Sequence, residues 1–178
     1  KMKDFPTQEY RLKADIDLSG TEQTGSVIPE FSGVLDGENH KITGLKAPLF
    51  GQLSGTVSNV AIDAGAIEIG NSVDTTVGIF ANTMTNATVE KVMIANGSIS
   101  STAGKAAGFA GTVTDSTVKN IFIQGRVNAV STASGFAETS HHSVMENIYA
   151  NIDVNGADGA GFLVNSTGEN SYKNICSI

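Results

Sequence analysis

A unit of 26 to 30 residues recurs along this chain, and a period so short buries an apolar face only when each copy stacks on the next. The first part of the unit is a small or turn residue followed by apolar ones: Pro48-Leu49-Phe50, Gly78-Ile79-Phe80, Gly108-Phe109-Ala110, Gly135-Phe136-Ala137 and Gly161-Phe162-Leu163. Aligning positions 49, 79, 109, 136 and 162 sets the period. The second part runs from Thr56 to Ile62, from Thr88 to Ile94 and from Thr117 to Ile123, with weaker copies from Val144 to Ala150 and from Ser171 to Ser177. A third part alternates over 66–69, 98–100, 127–130 and 152–154. Each copy therefore predicts three short strands.

Residues two apart on a strand share a face, so Val60 with Ile62, Val92 with Ile94 and Ile121 with Ile123 point inward together. Val57, Val89 and Val118 fall out of that phase, and a corner between the two sets restores their inward direction. Asn59, Asn120, Asn147 and Asn174 occupy the corner, with Lys91 as the exception. Asparagine tolerates left-handed backbone and its amide reaches a neighbouring coil, which predicts a ladder of stacked Asn. The fold class that follows is all-β: a right-handed parallel β-helix (β-solenoid) with three short strands per coil and about five to six coils. Gly and β-branched residues dominate each unit and disfavour helical repeats. A propeller blade needs four strands in about 40 to 45 residues, more than the period supplies.

Residues 1–46 read as an opening coil, residues 47–178 as the repeats, and 1–178 as a single solenoid domain. Ile178 closes the chain soon after the second strand of a fifth copy, which predicts a fragment of a larger protein.

With 11 Lys and Arg against 18 Asp and Glu, and a net charge of -7, the chain lacks the clustered basic face that nucleic acid or an anionic membrane requires. No apolar run reaches the roughly 20 residues of a spanning helix, and the N-terminus lacks the zones of a signal peptide, so any export signal is expected outside this segment. The lone Cys176 allows no internal disulfide and leaves the compartment open.

The stretch from Phe31 through Asp36-Gly37-Glu38-Asn39-His40 to Leu45, then Pro48-Leu49-Phe50 and Gly55-Thr56-Val57-Ser58-Asn59-Val60, carries a family signature together with Ala14-Asp15-Ile16-Asp17-Leu18. It resembles the N-terminal region of streptococcal zinc metalloproteases of the immunoglobulin A1 protease family, most specifically over residues 10–62. The resemblance implies a secreted or cell-wall-associated Gram-positive virulence enzyme that cleaves host glycoproteins. It places zinc in a His-Glu-x-x-His catalytic domain elsewhere, and that motif is absent here. No catalytic, cofactor-binding or metal residue is therefore carried over to this segment.

Bottom-up, the residues that could carry chemistry are few. His141 and His142 are adjacent and are expected on opposite faces of a strand, which makes a shared metal awkward. His40 is expected to bond a local carbonyl or Asp36, with no Ser or Cys nucleophile beside it. Asp15, Asp17 and Asp36 could gather Ca²⁺ or polysaccharide as in β-helical lyases, but a solvated face and an Asp-Gly turn explain them as well. The Asn-x-Ser/Thr triplets at Asn86, Asn96 and Asn165 read as turns, and Gly33, Gly37 and Gly44 as corners. Alignment sets Cys176 in the outward position of Ala61, Met93, Phe122 and Tyr149.

The expected function is a non-catalytic module that spaces or positions substrate, with host glycoprotein or other domains of the same protein as partners. Two rivals remain at this point. An adhesin-type repeat would expose aromatic residues such as Tyr149 and Tyr172 along one sheet. A polysaccharide-degrading enzyme would line a groove with Asp, Lys and Arg.

Overall fold

The computed structural model describes residues 2–70 and 75–178. Every regular element among them is a strand, and every strand pairing is parallel. Successive copies pair with one another in three sheets, so the chain is a parallel β-solenoid of about six turns. The long sheet follows Glu9–Arg11, Val34–Asp36, Thr56–Asp63, Thr88–Ser101, Thr117–Ala129, Val144–Asn155 and Ser171–Ser177. A second sheet stacks Ile28–Phe31, Phe50–Leu53, Ala81–Thr85, Ala110–Thr114, Ala137–His141 and Leu163–Thr167. The third holds Thr76–Gly78, Lys105–Ala107, Thr132–Ser134 and Asp158–Ala160.

Three strands per coil hold in the later copies, but their bounds differ from the expectation. In the three middle copies the second part runs unbroken through the asparagine corner, from Glu90↔Lys119 to Val92↔Ile121, and fuses with the third because the ladder resumes past a bulge at Gly97↔Gly125; in the copy before them Thr56–Asp63 and Ala66–Ile69 stay separate. The short strands of the third sheet, such as Lys105–Ala107, lie where small residues give no alternation to read. The register also moves one triplet: Ala81 pairs with both Phe50 and Ala110, which makes Phe80 the counterpart of Phe109. Ile79 and Phe80 are both fully buried, so apolar pattern alone could not choose between them.

The interior is one stack. The rings of Phe31, Phe50, Phe80, Phe109, Phe136 and Phe162 follow one another at centroid separations of 5.6, 5.3, 4.6, 4.8 and 4.9 Å. The last three match the ~4.8 Å rise between paired strands, so coil spacing and ring stacking agree. Each such pair adds about 0.5–1.5 kcal/mol beyond the area it buries. Leu35, Val57, Val89, Val118 and Met145 form one aliphatic column beside it, and Val60, Val92, Ile121 and Ile148 another.

The corner between those columns is the predicted ladder. Asn59, Lys91, Asn120, Asn147 and Asn174 all have left-handed backbone, with φ of 54, 55, 56, 55 and 53°. Asn174 Nδ2 donates to Asn147 Oδ1 (2.8 Å) and Asn147 Nδ2 to Asn120 Oδ1 (2.9 Å). Lys91 breaks the run, and Asn120 turns instead to Glu90 Oε1 at 3.2 Å. Asn59 at the other side of the gap bonds Asp36 Oδ1 at 2.9 Å.

Two substitutions check this account. Phe109→Ala should cost about 3–5 kcal/mol in urea unfolding, and Phe109→Asp more, whereas Lys119→Ala at the surface should cost less than about 1 kcal/mol. A Phe109→Asp protein that melts with the parent would refute the stack. Lys91→Asn should raise the melting midpoint, gaining about 0.5–1 kcal/mol by placing a residue that accepts left-handed backbone and rejoins the ladder.

Candidate functional site

Parallel in-register pairing turns each outward position of the long sheet into a column of side chains. Asp36, Ser58, Glu90, Lys119, Glu146 and Lys173 make one. It alternates in sign toward its end, with Lys119 Nζ 3.3 Å and Lys173 Nζ 2.9 Å from the Glu146 carboxylate. Across the asparagine bend lie Lys41, Ala61, Met93, Phe122, Tyr149 and Cys176. Met93 and Phe122 are exposed, and the rings of Phe122 and Tyr149 stack at 5.4 Å with 6° between their planes. Cys176 is a free, exposed thiol in that column, where alignment put it.

Next to this apolar stripe the surface sinks into a polar groove of about 370 Å³ lined by Asn96, Ser98, Gln124, Arg126, Asn151 and Asp153, with Gly97 and Gly125 at its base. Asn96 has a φ of 51° and is the extra residue of a bulge between Ile94 and Gly97. Gly97 and Gly125 continue the inward column of Ile152, and a Cβ on Gly97 would stand 2.9 Å from the buried Ile79 Cδ1, so the interior is what excludes a side chain there. Arg126 Nη2 and Asp153 Oδ2, register partners on neighbouring strands, pair at 3.3 Å in the groove's lining. A second concavity, about 190 Å³, opens in the first coils between Leu12, Ile16, Leu18, Val27, Ile28 and Ile42, and its lining is apolar.

The residues singled out from sequence are dispersed. His40 Nδ1 meets Asp15 Oδ1 at 3.2 Å, and neither a local carbonyl nor Asp36 is its partner. Asp36 is instead held by Asn59 and by the Glu38 amide at 3.0 Å, which closes the turn locally. Asp17 Oδ1 accepts the Ser19 amide at 2.8 Å. Each carboxylate thus has its own local donor, and among the described residues no group of three or more His, Cys, Asp or Glu comes together. The expectation that His141 and His142 face apart fails: their ring centroids are 3.9 Å apart. His142 has a φ of 45°, and a left-handed residue cancels strand alternation.

That residue belongs to a second left-handed column, Asn86, Asp115, His142 and Gly168, which no repeated residue type marks in the sequence. Inside it runs a polar ladder in which Ser116 Oγ takes the Ala87 amide (3.0 Å), Ser143 Oγ the Ser116 amide (3.1 Å) and Asn170 Oδ1 the Ser143 amide (2.8 Å). Asn86 is a turn residue as read, whereas Asn96 lies at the bulge within the strand Thr88–Ser101 and Asn165 within the strand Leu163–Thr167, opposite Thr139. Tyr172 does not share the outer face with Tyr149; it continues the inward column of Val118 and Met145, its hydroxyl 2.8 Å from Ser166 Oγ. The outward apolar stripe is Met93, Phe122 and Tyr149, legible only once Lys91 and the asparagines are accepted as a bend.

A family model for the M26 IgA1-specific metallo-endopeptidase N-terminal region matches residues 1–97. Among solved structures, a candidate immunoglobulin A1 protease from Bacteroides ovatus is similar, with a TM-score of 0.50 and 19% identity over 96% of this chain and 68% of that one. At that identity the likeness concerns the fold. No curated protein matches the chain. Among the described residues no helix is long and apolar enough to cross a membrane.

The acid behaviour of the outer face follows from its hydrogen bonds. The Lys41 amide and then His40 hold the Asp15 carboxyl below its ordinary range, the Ser19 amide does so for Asp17, and Asn59 and then the Glu38 amide for Asp36. Lys173 and Lys119 do the same for Glu146. A carboxyl whose pKa is lower folded than unfolded stabilises the fold above its unfolded value, and loses that contribution as pH falls through the folded one. The melting midpoint should therefore be level with respect to these groups near neutrality and fall below about pH 4. Asp36→Asn, which keeps the shape but removes the titration, should shallow that fall, and an unchanged acid limb would contradict the assignment.

Proposed function

Because this chain belongs to the M26 IgA1-specific metallo-endopeptidase N-terminal region family, we propose that it is a non-catalytic module that positions glycoprotein substrate for a zinc endopeptidase centre in another part of the same protein. The observation that carries this reading is the unbroken stack of coils: one aromatic and two aliphatic columns run the length of the repeats and make a stiff rod with an ordered outer face. The zinc that the family implies does not fit here. His-Glu-x-x-His is missing from the sequence, and the described carboxylates and imidazoles are tied to separate partners. The site of action that goes with this reading is outside the cell, on or near the bacterial surface.

The test is made in the whole protease. Replacing this module by an unrelated solenoid of equal length should raise KM for intact immunoglobulin A1 about tenfold and leave cleavage of a short hinge peptide unchanged, since binding energy remote from the scissile bond is what the exchange removes. Full activity of the exchanged protein on the intact substrate would reduce the module to a spacer.

A further inference from the structure

Three outward columns run side by side beyond the asparagine bend, and together they have the chemistry of a carbohydrate site. The first is the apolar column Met93, Phe122 and Tyr149. The second presents amides: Gln124 pairs with Asn151, and Asn96 stands at the bulge beside them. The third is Ser98, Arg126 and Asp153. The second and third line a groove of about 370 Å³, within the range of small-ligand clefts of roughly 300–1,000 Å³, and the first runs beside it.

A side-chain amide offers two donors and an acceptor in one plane, a set that matches adjacent hydroxyls or an acetamido group. Among the described residues, neither Gln124 nor Asn151 commits its side-chain amide to a protein partner. The guanidinium of Arg126 is already matched by Asp153, so the groove is electrically balanced within a chain of net charge -7. An anionic ligand would meet a neutralised cation and an acidic protein, and a neutral one meets only dipoles. The apolar column beside the groove suits the C–H face of a sugar or an acetamido methyl.

We infer that this groove binds a neutral, N-acetylhexosamine-containing glycan, and that it is the contact through which the module holds a glycoprotein. The inference rests on the positioning role proposed above. Calorimetric titration of the 178-residue chain with N,N′-diacetylchitobiose and N-acetyllactosamine should give saturable binding, weakened at least about fivefold when the N-acetyllactosamine carries sialic acid. Gln124→Ala with Asn151→Ala should lower affinity at least about tenfold without moving the melting midpoint, and Thr88→Ala, on the other side of the bend, should change neither. No binding of either neutral probe, or undiminished binding by the double variant, overturns the inference. Capture of intact and glycan-stripped immunoglobulin A1 separates the two levels: loss of capture on stripping supports the glycan contact. Equal capture of both forms overturns it while positioning stands, and capture of neither removes positioning as well.

Discussion

Everything in this molecule depends on the parallel hydrogen-bond ladder that joins each coil to the next. It fixes the rise at the strand spacing of about 4.8 Å and sets residue over residue, so whatever occupies one position must tolerate its equivalent above and below. Side chains that gain from self-stacking are therefore selected at each level: phenylalanine rings inside, valine and isoleucine along the flanking columns, asparagine amides at the bend. The interior satisfies itself by repetition, and no single long-range contact closes it.

The same ladder explains how much could be read from sequence. The strand-rich coil, the inward Val and Ile pairs and the asparagine bend were legible, because identical demands at each turn leave identical residues. The bend was read from four asparagines, and Lys91 takes the same left-handed conformation with none of their chemistry. What could not be read is whatever the stacking satisfies with dissimilar residues. The second left-handed column is built from Asn86, Asp115, His142 and Gly168, four residue types that meet one backbone requirement by different means. Its effect on His142 is what brings two histidine rings together where simple alternation separates them. The position of Phe80 escaped for the opposite reason, since its neighbour Ile79 is equally apolar and equally buried.

The candidate site was legible only in part. Met93, Phe122 and Tyr149 align in the sequence as outward residues, but the groove beside them lies where one coil has one residue more than the next, between Ile94 and Gly97. An unmatched residue looks like noise in a repeat. In a stack it is a local break in register that sets one coil's outward side chains off from the next.

The charged column on the other side of the bend bears on how such a chain finds its order. Asparagine stacks on asparagine and phenylalanine on phenylalanine whichever coils are adjacent, so these ladders cannot count. Glu90, Lys119, Glu146 and Lys173 can: true neighbours differ in sign and second neighbours agree. A chain that skipped one coil and laid Val144–Asn155 directly on Thr88–Ser101 would set Glu146 on Glu90, and one that skipped the next would set Lys173 on Lys119. Like charges opposed on adjacent strands are destabilising by about as much as a favourable pair stabilises, roughly 0.2–1 kcal/mol. Sign alternation thus acts as a parity check on coil order, favouring winding in sequence over shortcuts that every other ladder would accept.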